Sequence, residues 1–186
     1  MMTVLEEVMV ESATEAMLSN GFAPRPQVHI FDRTRAQPVV GYVVSRFYSQ
    51  GDDAASAIAN LGVLAAALCA TDLIVFWEES DLRTSIHGAH PTADYPTGLV
   101  TLRVTHEGHD QTWRPFSNRV LGYQQNGLPI VQPLWGTVAT ESGGDIPFPI
   151  QGLLGRWRAT TGHTEGADAL LDMAEDEGYE ILLVAN

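Results

Sequence analysis

Residues 38–77 run PVVGYVVSRFY, then, after Ser49 and Gln50, GDDAASAIANLGVLAAALCAT, then DLIVFW. Two short apolar runs flank an alanine-rich segment of helical length. Its aspartates stand at the start, where the helix dipole favours negative charge. This order predicts strand, helix and strand, joined as a right-handed parallel crossover. The first run is apolar at almost every position, the pattern of a strand covered on both faces. Such a unit demands a sheet with a helical layer on it, so the class it imposes is α+β or mixed α/β.

The remaining segments extend that sheet. Thr3-Val4-Leu5-Glu6 has the form of a capping box and opens a helix that stops at Asn20-Gly21. QVHIFD (27–32) predicts a strand, linked to the next by a turn around RTRAQ. LVTLRVTHEGHDQTWRPF predicts a hairpin over 99–116. VLGYQQNGLPIV carries an Asn-Gly turn, and Pro129 confines its second arm to a sheet edge. Ile150, Leu153, Leu154 and Trp157 fall at helical spacing. A last helix, about 165 to 177, stops at Gly178 and feeds the strand YEILLVA. The chain therefore reads as one globular domain, 1–186. It is expected to hold a single mixed β-sheet with about four packed helices, including the crossover at 38–77 and the hairpin at 99–116.

Charge narrows the function. All ten basic residues are arginine, 23 residues are acidic, and the net charge is −13. An acidic chain is not expected to bind nucleic acid directly. The absence of lysine excludes a Walker A phosphate loop, a lysine Schiff base and pyridoxal-phosphate attachment. No G-x-S-x-G elbow nominates a nucleophilic serine, and no glycine pattern matches a dinucleotide fingerprint. The alanine-rich segment is too interrupted to span a membrane, and the acidic N-terminus is unlike a secretory signal. A cytoplasmic location and no membrane partner are the expectations. Cys69, inside the alanine-rich segment, is expected to be a buried, inert thiol.

Four of the six histidines lie between residues 85 and 110, as two His-x-x-His pairs. A two-residue turn at Glu107-Gly108 sets His106 against His109 and separates an apolar face from a polar one. A three-residue loop mixes the faces; a four-residue loop restores them and spares Glu107 a positive φ. In either good register His106 and His109 sit at a hairpin tip, too far from residues 87–90 for the chain between to return comfortably. The pairs are therefore read as separate. Glu78, Glu79, His87 and His90 cluster beyond the predicted end of a strand, in a 78–96 loop. Two carboxylates and two imidazoles there suit zinc or manganese and a small metal-dependent hydrolase.

Two acidic ladders offer a different reading. Glu7, Glu11 and Glu15 lie four apart on the first helix, and Asp168, Asp172 and Asp176 repeat the spacing on the last. Each like-charge pair costs an isolated helix about 0.2–0.5 kcal/mol. No lysine or arginine intervenes. The leading expectation is a non-enzymatic intracellular domain, without a cofactor, whose acidic helices dock a basic protein surface. The hydrolase at residues 78–96 is the alternative.

Overall fold

The computed structural model describes residues 2–88, 95–162 and 165–184. Its strands are β1 (Gln27–Phe31), β2 (Val39–Val44), β3 (Asp72–Glu78), β4 (Gly98–Val104), β5 (His109–Tyr123), β6 (Pro129–Trp135), β7 (Ala139–Ser142) and β8 (Glu180–Leu183). Its helices are α1 (Met2–Asn20), α2 (Asp52–Ala67), α3 (Glu79–His87), α4 (Phe148–Thr160) and α5 (Ala167–Asp176). The strands form one sheet in the order β6-β5-β4-β3-β1-β2-β8, with β7 beside β5.

The strand–helix–strand unit at 38–77 is present, and its strands run in the same direction. They are not neighbours, however: β1 lies between β2 and β3 and is antiparallel to both. The hairpin from β1 into β2 fills the place that a simple crossover leaves for its second strand. Every pairing among the described residues is antiparallel.

Alternation along the strands divides the interior in two. Val28 and Ile30 of β1, Leu73, Val75 and Trp77 of β3, and Val100, Leu102 and Val104 of β4 face α2 and α4. Ile150, Leu153, Leu154 and Trp157 of α4 complete this larger core, at the helical spacing expected. On the opposite face, Phe31, Ile74, Phe76, Leu99 and Phe116 pack under Met9, Ala13 and Met17 of α1. Glu6 does not close a capping box. Its carboxylate accepts two hydrogen bonds from Arg103 of β4, tying α1 to the sheet.

The β4–β5 hairpin has a four-residue loop, 105–108, and its pairing is shifted by two residues from the register a two-residue turn sets: His109 faces Val104 rather than His106, and Trp113 faces Val100 rather than Leu102. The apolar face is as expected. The other face of β4 is not polar and open: Leu99 and Thr101 are buried beneath the α1 layer. β5 continues past this hairpin to pair with β6 across the loop 124–128, where Asn126 Oδ1 accepts from Leu128 N at 3.1 Å. β6 lies at the sheet edge, as Pro129 requires.

Two local expectations change. Residues 79–87 are helical rather than loop, and Leu82 with Ile86 packs that helix against the larger core. Cys69 is exposed, not buried, because the helix before it ends sooner. The Ala70 N–H bonds to Ala65 O and the Cys69 N–H to Ala66 O, a Schellman motif with Cys69 at its left-handed position, φ 59°.

Candidate functional site

Glu78 and Glu79 are engaged by the protein itself. Glu78 ends β3 and caps α3, accepting from Ser80 N at 3.1 Å and Asp81 N at 2.6 Å, and from Gly98 N at 2.9 Å. Burial pushes its carboxyl above the ordinary range, while those three N–H groups pull it back. Glu79 accepts from the indole N–H of the buried Trp77 at 2.7 Å and from Arg83 Nε at 2.6 Å. Four acceptor positions on two carboxylates thus serve β3, α3 and the start of β4. Helix N-caps are usually Ser, Thr, Asp or Asn, so a glutamate cap gave the sequence little signal.

His87 lies in the last turn of α3, roughly 12 Å along the axis from Glu79 at 1.5 Å per residue. Its ring lies 6.3 Å from that of Phe148. His90 is outside the described residues. Among the described residues, no three His, Cys, Asp or Glu side chains converge as a metal site. The open-sheet rule that places ligands beyond parallel strand ends also has no purchase here, because β3 has antiparallel neighbours on both sides. His106 stacks on Trp157 at 4.6 Å, and His109 Nε2 meets Gly144 O at 3.1 Å. The two histidine pairs are built into different packing.

A cleft does form beside Glu78. Two adjoining cavities, about 160 and 250 Å³, share Phe22, Ala23, Glu78 and Asp81 on their walls. Desolvation in the cleft raises the Asp81 carboxyl above its ordinary value. Tyr48 stands on the second cavity's wall, and burial raises its phenol too. Burial thus raises both carboxyl groups on the cleft, and the three cap N–H bonds oppose that shift at Glu78 alone.

The acidic ladders are placed differently. Glu7, Glu11, Glu15, Asp168, Asp172 and Asp176 are all exposed. Among the described residues none of the six takes part in an ion pair. They do not share a surface: α1 covers one face of the sheet, and α5, through Ala174, packs on the other. With Met9, Ala13 and Met17 turned inward, the outward side of α1 carries Glu7, Glu11 and Glu15 together with Val4, 62% exposed, and Val8, 51% exposed. The three carboxylates were legible at i,i+4 spacing. The flanking valines were not, because the inward face had to be known first.

Among the described residues, no helix is long and apolar enough to cross a membrane. Compared with models of known protein families, with curated proteins and with solved structures, the chain matches none.

Proposed function

We propose that this protein is a non-enzymatic binding domain that docks a basic macromolecular surface on the outward face of α1. The observation that carries this reading is the contrast in how acidic side chains are used. Glu6, Asp32, Asp53, Asp72, Glu78 and Glu79 are spent on arginines, backbone N–H groups or hydroxyls. Glu7, Glu11 and Glu15 stand exposed on one helix face beside two exposed valines and, among the described residues, take part in no ion pair. A partner presenting arginine or lysine among apolar side chains matches that face in charge and in polarity.

The hydrolase alternative has less support, since Glu78 and Glu79 already hold structural hydrogen bonds and His87 lies a helix length away from Glu79. The α5 ladder is a separate surface on the far side of the sheet and provides an internal control.

The test uses a synthetic amphipathic peptide of alternating leucine and arginine faces as the basic probe. Its affinity is measured at several salt concentrations for the parent, for Glu7→Gln/Glu11→Gln/Glu15→Gln, and for Asp168→Asn/Asp172→Asn/Asp176→Asn. Both variants lose three negative charges, so nonspecific attraction falls equally. The expected result is a loss of tenfold or more for the α1 variant and less than threefold for the α5 variant, with binding weakening as salt rises. The melting temperature of the α1 variant should hold or rise slightly, because two like-charge i,i+4 pairs are relieved. Equal losses in the two variants, or none in either, sink the proposal.

A further inference from the structure

Between α1 and the β1–β2–β8 end of the sheet lies a cavity of about 320 Å³. Leu5, Val8 and Met9 of α1 form one wall, with Val39 and Tyr42 of β2 and the nearby Val184 opposite. Gln27 and His29 reach it from β1. They are two residues apart, and so lie on the same face of that strand, while Val28 and Ile30 enter the larger core behind it. Among the described lining side chains there is no carboxylate and no arginine. In a chain of net charge −13 that neutrality sets the cavity apart from the outer surface.

Ser12 of α1 and Gln27 are also polar side chains on the wall, and among the described lining residues His29 is the one with an unsatisfied buried atom. Its ring stacks on Tyr42 at 5.1 Å with an interplanar angle of 24°. Its Nε2 is buried and, among the described residues, has no hydrogen-bond partner. Buried polar atoms in folded proteins almost always have one. Burial lowers the imidazole to about 4, so at neutral pH the ring is uncharged and carries one N–H and one lone pair. Ligand sites share this composition: mostly apolar walls, few polar groups, and volumes from about 300 Å³ upward.

We propose that this cavity binds a small uncharged aromatic molecule bearing one hydroxyl group, with its ring among the apolar side chains and its hydroxyl toward His29. The flat Tyr42–His29 stack and the aliphatic walls favour a ring. An anion meets the negative field of the whole chain, and a cation finds no counter-charge on the walls. A hydroxyl both donates and accepts, so it satisfies the imidazole in either tautomer. The site is distinct from the outward face of α1, although Val8 touches both.

The test is an NMR titration of the full chain with p-cresol, and in parallel with p-xylene, which lacks the hydroxyl. The expected result is saturable binding of p-cresol with a dissociation constant of about 1 mM or below. Shifts should fall on the His29 ring nitrogens and on the backbone amides of Leu5, Val8, Gly41 and Tyr42. p-Xylene should bind at least fivefold more weakly. Val8→Trp, a substitution at a half-exposed position on the rim, should fill the cavity and abolish the shifts. His29→Phe should reduce p-cresol to the affinity of p-xylene while leaving the spectrum away from the cavity unchanged. Absence of saturable binding, equal affinity for the two probes, or shifts that persist in Val8→Trp would overturn the proposal.

Discussion

Cys69 occupies the position of a Schellman motif where a left-handed backbone is required. The same motif ends α5, with Gly178 at φ 96° in the matching place. A side chain in that conformation costs roughly 1–2 kcal/mol relative to the right-handed region. Glycine has no such cost but loses more freedom on folding. Cys69→Gly is therefore expected to stabilise the protein by about 0.5–1 kcal/mol, read from the urea midpoint. Cys69→Val should destabilise it, because branching at Cβ adds to the strain. His29 sets a second expectation at this scale. The unfolded chain takes a proton on this residue near pH 6.5, but the folded chain refuses it until about pH 4. Stability tied to neutral His29 is thus fully present above pH 6.5 and is lost as pH falls from there to about 4. The shift corresponds to roughly 3 kcal/mol. Urea unfolding at pH 7 and pH 4.5 should show His29→Phe gaining most of that amount on the parent between the two conditions. An unchanged difference between the two proteins would remove burial as the cause.

Among the elements, α2 and α4 approach each other closely at Gly62. A Cβ on Gly62 would lie 2.0 Å from Leu153 O, so the two backbones meet without a side chain between them. Gly62→Ala gains about 1 kcal/mol in helix propensity, yet it must push α4 off the sheet or shift α2 along it. The net expectation is a loss of about 2 kcal/mol, with a lowered urea midpoint. The contact also shows where sequence reasoning works and where it stops. Ile150, Leu153, Leu154 and Trp157 identified α4 and its buried face, because periodicity is a local property. The glycine notch on α2 that receives this face is a property of two segments 90 residues apart. The same limit applies to β1. Its apolar alternation revealed a strand, but not that it would sit between β2 and β3. α3 stayed hidden for another reason: only Leu82 and Ile86 of its nine residues mark an apolar face, and its cap is an atypical glutamate. At the candidate sites, the i,i+4 ladders were legible as patterns. The spending of Glu78 and Glu79 on Gly98, Trp77 and Arg83 was not, since those partners are fixed only by the fold.

At the scale of the whole molecule, the two ends of the sheet are finished differently. The β6 edge carries Pro129 and Pro133, neither of which offers an N–H to another strand. The β8 edge carries no proline, and Leu182, Leu183 and the adjoining Val184 are all exposed. Unprotected apolar edges are templates for further strand pairing, which native proteins commonly block with a charge. Leu183→Lys is expected to lengthen the aggregation half-time severalfold on incubation below the melting temperature, by light scattering. Its effect on stability should stay within about 0.5 kcal/mol, since the side chain is exposed and packs into neither core. The net charge of −13 already opposes association between copies, so the gain should be larger in high salt, where that repulsion is screened.

β5 is the long member of the sheet, at 15 residues and about 50 Å end to end. Only its first half is paired to β4; the second half, with β6, projects as an arm beyond it. The arm rests on the C-terminal end of α1, where Gln124 Nε2 donates to Ser19 O and Gly21 lies against Pro129. In mechanical terms this is a lever with its fulcrum at residues 19–21. A load on the exposed tip at Tyr123 and Leu128 is resisted at α1, the helix whose outer face bears Glu7, Glu11 and Glu15.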